Sequence, residues 1–192
     1  MKQKLFLGIA AAFALLLSLA IGKTTFFRPA VAQHLNAAAR ATYLAAADIS
    51  ATANRAPEMD QPIHVVDVGR YNVGVYIVRR LQEADQGCTI EHDTLALDDV
   101  TEILRVIEGS GTLVTGGKLM NRKQMPANDP DMGVLGPGAR GTPIQSGESR
   151  RISAGDEIII PAGVPHGFSE IQTKSITIEV IRIDPGKLLR AQ

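Results

Sequence analysis

The chain has one cysteine, Cys88, among 192 residues, so no internal disulfide can form and the fold must be held by its hydrophobic core. A reactive thiol needs an exposed, electropositive setting. Cys88 instead opens the strand-like run CTIEH and reads as buried and inert. Charge of one sign is not in excess, since 20 Lys and Arg offset 20 Asp and Glu. A nucleic-acid partner, whose phosphates call for a basic patch, is therefore not expected. The chain also lacks the G-x-S-x-G turn of a serine hydrolase and the G-x-x-x-x-G-K loop that cradles nucleotide phosphates. No internal repeat is evident.

No hydrophobic run is long enough to be a typical membrane-spanning helix. The longest, Leu5 to Ile21, has 17 residues, short of the roughly 20 that a bilayer core requires. Lys2 and Lys4 precede it, and Ala30-Val31-Ala32 supplies a small-x-small cleavage site. Residues 1–32 are expected to be a signal peptide, giving a periplasmic or secreted protein that begins at Gln33 and has no membrane contact after cleavage. A retained N-terminal anchor is the alternative. Cleavage would remove four cationic residues and no acidic ones, leaving a mildly acidic mature chain with a net charge of minus four.

After the leader, residues 33–62 form an alanine-rich arm with one short helix, for which Asp48 is a candidate cap. From Ile63 onward, β-branched alternation takes over. Ile63 to Val68 and Asn72 to Val78 read as strands turning through Gly69-Arg70, and further short strands are expected at Val100 to Ile107, Thr112 to Thr115, Arg151 to Ala154, Glu157 to Pro161, Gly167 to Ile171 and Ser175 to Ile183. Residues 118–149 hold four prolines and little periodicity, and read as a long surface loop placed to act as a lid. Residues 184–192 form a tail. Many short strands with no long helix between them call for an all-β antiparallel sandwich or barrel spanning residues 63–183.

The run GDEIIIPAGVPHGFSE, Gly155 to Glu170, joins a short strand to a Pro-Gly turn that delivers His166 at a fixed offset. Its G-x5-P-x-G-x2-H spacing resembles the second motif of the cupin superfamily, although Glu170 replaces the usual asparagine. In TEILRVIEGSGTLVTGG, Glu102 followed by six residues and Gly109 resembles the latter half of the first cupin motif, and Gly109 with Gly111 allows a hairpin. The resemblance covers Val65 to Ile183. It implies a double-stranded β-helix, or jelly-roll barrel, and a homodimer. It is also similar to a group of exported bacterial single-domain cupins with a helical arm and no established reaction.

In metal-binding cupins, two histidines, a glutamate and the histidine of the second motif supply the ligands. Here the paired histidines fall on Leu95 and Leu97 or on Ala96 and Asp98, and neither choice gives an H-x-H pair. The resemblance leaves Glu102 and His166 as ligands for one divalent ion (Mn, Fe, Ni or Zn), with His92 or Asp98 as additions. Alternation places Glu102 on one face with Leu104 and Val106, so a buried carboxylate needs a partner: a metal, His166 or an arginine. His64 reads as structural, and His34 lies in the arm. Arg79, Arg80, Arg150 and Arg151 read as solvated edge residues, with anion binding as the lesser option.

The favoured function is small-ligand binding in the barrel mouth, through Glu102, His166 and Phe168. The alternative is a metal-dependent enzyme of oxygenase, isomerase or lyase type. A transcription factor would need a helix-turn-helix module, which the short arm cannot supply.

Overall fold

The computed structural model describes residues 41–55, 60–82 and 94–190. The expected signal peptide, His34, Cys88 and His92 lie outside these residues. The described elements are α1 (Ala46–Arg55), β1 (Gln61–Asp67), β2 (Asn72–Leu81), β3 (Leu95–Leu97), β4 (Thr101–Glu108), β5 (Ser110–Thr115), β6 (Lys118–Leu119), β7 (Lys123–Gln124), α2 (Met132–Leu135), β8 (Gly138–Arg140), β9 (Ile144–Gln145), β10 (Glu148–Ser153), β11 (Glu157–Ile160), β12 (His166–Ile171) and β13 (Ser175–Asp184). Among the described residues no helix is long and apolar enough to cross a membrane.

Two antiparallel sheets dominate, ordered β1-β2-β13-β4-β11 and β10-β5-β12-β3-β8-β7. Successive strands change sheet at β2 to β3, β4 to β5, β10 to β11 and β12 to β13. Such alternation wraps the chain into a jelly roll, the double-stranded β-helix expected from the two motifs. Period-two burial explains why the sheets face each other. Ile176, Ile178 and Val180 of β13, Leu104 and Val106 of β4, and Tyr76 and Val78 of β2 point inward, and Leu113, Ile152 and Ile171 meet them from the second sheet. Burying each such side chain stabilises the fold by about 1.5–3 kcal/mol.

The β1–β2 hairpin forms as expected, with Asp67 opposite Asn72. Gly109 and Gly111 do not close a hairpin, because β4 and β5 belong to different sheets and the chain turns a corner there. Gly109 has φ +82, and a Cβ at that position would lie 2.1 Å from the Ser175 carbonyl oxygen. Gly109→Ala is therefore expected to cost more than about 2 kcal/mol in urea unfolding, since positive φ and a backbone clash combine. A loss below about 1 kcal/mol would show that the Ser175 segment moves aside freely.

Three further expectations need correction. Residues 118–149 are not a bare surface excursion: they contain α2 and β6 to β9, and Leu119, Met125, Leu135 and Ala139 are buried. Met125 and Leu135 pack with Leu97 and Val100 in a second core cluster, which isolated apolar residues among prolines do not reveal by periodicity. Asp48 lies inside the first turn of α1 rather than capping it. Arg79 and Arg80 are not on an edge, because β2 runs between β1 and β13. Arg150 and Arg151 do lie exposed on the edge strand β10.

The tail is tied down as well. Buried Leu189 donates its N–H to Asp184 Oδ2 at 2.8 Å and accepts from Asn72 Nδ2 at 3.2 Å.

Candidate functional site

The inward faces of β4 and β13 are apolar until each reaches one end of the barrel, where Glu102 and Arg182 stand opposite each other in register. The same end receives His166. Pro161 ends the β11 ladder at Ile160, and the turn that follows, with Gly163 at φ +80, releases the chain so that His166 opens β12 in the facing sheet. Glu102 and His166, 64 positions apart in the sequence, thus meet: His166 Nε2 lies 2.9 Å from Glu102 Oε2.

Arg182, Asp60 and Tyr76, which the sequence pattern did not single out, complete the group together with Arg80. Arg182 Nε donates to Glu102 Oε1 at 2.8 Å, its Nη1 donates to the Val134 carbonyl at 3.0 Å, and its Nη2 donates to Asp60 Oδ2. Asp60 Oδ1 accepts from Arg80 Nη2 at 3.0 Å. The Arg182 guanidinium carbon also sits 4.5 Å from the centre of the Tyr76 ring, a cation–π contact in a desolvated setting. Arg182 could have been found by the alternation that placed Glu102, since it follows Ile176, Ile178 and Val180 on one face. Asp60 precedes the first strand, and no pattern marks it.

Proton placement follows from geometry. His166 Nδ1 lies 3.0 Å from the Val164 carbonyl oxygen, which can only accept, so Nδ1 carries a hydrogen. In a neutral ring Nε2 would then turn a lone pair toward Glu102 Oε2, leaving a buried carboxylate oxygen without a donor. Protonation of the ring removes that conflict, and the pair is an imidazolium and a carboxylate. Burial alone would lower the His166 pKa, but the Glu102 hydrogen bond and charge, together with the Val164 carbonyl, raise it above its ordinary value. Burial would raise Glu102, yet Arg182 and His166 outweigh it and hold the carboxyl at about 2. Asp60 is likewise held at about 2, because Arg182 and Arg80 overcome its desolvation.

These groups border a cavity of about 50 Å³ between the sheets, whose other walls include Leu95, Leu104, Leu113, Phe168, Ile178 and Val180. Phe168 stands among the lining residues. Leu95, at one of the positions where a histidine would fall, is paired with His166 across β3 and β12 and contributes hydrocarbon. Asp98 is elsewhere: it accepts from Arg122 Nη2 at 3.2 Å and Gln124 Nε2 at 2.6 Å on the exposed surface, so it does not join the cavity. His64 is exposed on β1, on the outer side of the first sheet.

The donor set answers whether a resident divalent ion fits. Among the described residues no group of three His, Cys, Asp or Glu converges. The facing atoms are one imidazole nitrogen and one carboxylate oxygen, while a guanidinium holds the other oxygen of the same carboxylate. Protein metal sites of this kind use three or more donors, and a neighbouring cation opposes a second one. The described residues do not fit a bound divalent ion.

No family model matches the chain, and no curated protein matches it. Among solved structures, a Bacillus halodurans protein has 13% identity over 80% of this chain and 90% of its own, with a TM-score of 0.46. A cupin family protein with a double-stranded β-helix fold from Methanocaldococcus jannaschii has 11% identity over 68% and 86%, with a TM-score of 0.40. A cupin protein from Bacteroides fragilis has 14% identity over 62% and 72%, with a TM-score of 0.36. At such scores the fold assignment rests on the strand order described above.

Proposed function

We propose that the chain binds a small organic ligand in the cavity between its two sheets, with Glu102, His166 and Arg182 as the polar wall and Phe168 among the apolar ones. The observation that carries this reading is the convergence of buried, ionised groups at a cavity otherwise walled by hydrocarbon, the usual composition of a ligand pocket. A volume of about 50 Å³ suits a ligand of only a few heavy atoms. The setting is the periplasm or the outside of the cell, on the leader composition of residues 1–32.

The second reading is a metal-dependent enzyme. It is favoured by one feature: His166 Nδ1 is fixed by a backbone carbonyl while Nε2 faces Glu102, the orientation that a ligating histidine adopts. His92, outside the described residues, would have to supply a further donor, and Arg182 would have to release Glu102.

Elemental analysis of the mature protein, after loading with manganese, iron, nickel or zinc and removal of excess ion, separates the two. Less than about a tenth of an equivalent is expected. Near one equivalent that disappears in His166→Ala would overturn the ligand-binding reading in favour of the metal-dependent one.

A further inference from the structure

The outer face of the first sheet carries a row of apolar side chains that the barrel core does not use. Alternation turns Leu104 of β4, Val180 of β13 and Ile160 of β11 inward, so their neighbours Ile103, Ile181 and Ile159 point away from the core. Register aligns them across three strands: Ile181 stands opposite Ile103, and Ile103 opposite Ile159. Ile159 is 67% exposed, and Ile107, further along β4 on the same face, is 43% exposed. A single isoleucine at a surface needs no explanation. A continuous ladder of them on one sheet face marks a contact surface.

Part of this face is already covered. On the β1–β2 side, Ala41, Thr42 and Leu44 lie beside Val66, Val73 and Val75. Ile77, which points outward from β2, is fully buried. The open part is therefore formed by β13, β4 and β11.

Charge singles out the occupant. The next row along the strands reads Glu179, Arg105, Glu157 across β13, β4 and β11. Among the described residues none of the three makes an ion pair or a side-chain hydrogen bond. Alternating signs give no purchase to a partner of uniform charge, such as a nucleic acid or an anionic lipid surface. They do suit a second copy of the same row. Turned about a two-fold axis that runs parallel to the strands, between β4 and β11, the row of one copy faces the reversed row of the other. Arg105 then meets Glu157 of the partner subunit, and Ile103 meets the partner's Ile159. Two sheet faces stacked in this way interlock at a separation of about 10 Å.

We propose that the open outer face of β13, β4 and β11 is the interface of a homodimer closed by this two-fold axis. Ile103 and Ile159 form its apolar centre, Ile107 and Ile181 lie at its margin, and reciprocal Arg105–Glu157 pairs fix its register. The contact is on the side of the first sheet opposite the cavity, so it stands or falls independently of the ligand-binding reading.

The test is analytical ultracentrifugation of the mature protein at concentrations from about 1 to 100 µM. A species of twice the monomer mass is expected, dissociating at or below about 10 µM. Ile159→Glu, at an exposed position that the core does not need, should weaken the dimer by at least about tenfold with an unchanged circular dichroism spectrum. Arg105→Glu should weaken it by a similar factor, because it sets carboxylates against carboxylates. Combining Arg105→Glu with Glu157→Arg exchanges the signs and restores the reciprocal pairs, and should recover most of the affinity. Arg150→Glu, on the edge strand β10 of the other sheet, should leave the mass unchanged.

A monomer at about 100 µM would overturn the proposal. If removal of residues 33–40 then produced a dimer, those residues, which precede Ala41 on this face, would be its occupant instead. A dimer that survives both Ile159→Glu and Arg105→Glu undiminished would also overturn it, by placing the contact on another surface. Loss in Arg105→Glu without recovery in the sign-exchanged chain would overturn the reciprocal pairing and with it the two-fold axis described.

Discussion

Replacing Arg182 by alanine is expected to lower the unfolding free energy by about 3–5 kcal/mol, the cost of leaving buried charges without their partner. Arg182 is the hub of the group: one guanidinium serves Glu102, Asp60 and the Val134 carbonyl, and stacks on Tyr76. Its removal strands two carboxylates at once. Arg182→Met keeps much of the hydrocarbon stem against Tyr76 and separates lost packing from lost charge; the methionine variant should still lose most of the same energy.

In a chain that already carries Glu102→Gln and Asp60→Asn, Arg182→Met should cost far less than in the unaltered chain, because no carboxylate is left unpaired. Urea unfolding of the single and combined variants measures this directly. Equal costs in the two backgrounds, or a loss below about 1 kcal/mol for Arg182→Ala, would mean that the network contributes little and that water reaches it.

Stability should peak in a mildly acidic window, and both edges follow from the shifts. Glu102 and Asp60 have folded-state pKa values of about 2 against ordinary values of 4.5 and 3.8. A lowered carboxyl contributes stability that is present above its unfolded value and lost as pH falls toward the folded one. Each lowering corresponds to about 2–3.5 kcal/mol, lost as pH falls below about 4.5.

His166 behaves in the opposite sense. Its folded pKa is raised above 6.5, so its contribution is complete below 6.5 and is lost as pH rises through the folded value. The groups that face the ring are Glu102, whose charge favours the imidazolium, and Arg182, whose charge opposes it. The maximum therefore lies between about 4.5 and 6.5. Urea unfolding at about pH 3, 5.5 and 9 should give the highest stability at the middle value. His166→Gln should remove the alkaline decline and leave the acid decline in place. A flat profile across all three would contradict an imidazolium–carboxylate pair.

How the sequence and the structure divide the work is clearest at single residues. Period-two alternation placed Glu102 with Leu104 and Val106 on an inward face, and that is where it lies. The Pro-Gly turn before His166 set that residue at the start of a strand, because proline cannot continue a ladder and glycine permits the positive φ of the turn. Phe168, two positions on, shares that face and lines the cavity. The same alternation extended along β13 would have marked Arg182, and reading Arg79 and Arg80 as edge residues failed because nothing local says which strands end up in the middle of a sheet. Strand neighbours are a property of the whole topology.

The resemblance of two motifs supplied the jelly roll and the expectation that Glu102 and His166 share one site, whereas local chemistry was enough for the all-β class and for the hairpin at Gly69-Arg70. These last two features depend on side-chain period and turn stereochemistry, which a few consecutive residues encode. The partner of Glu102, the burial of residues 118–149, the corner at Gly109 and the arrival of Asp60 between two arginines were decided only when the sheets closed. Charges that lie 80 and 122 positions apart in the chain find each other because the barrel excludes water around them. That exclusion is a cooperative result of packing which no short stretch of sequence carries.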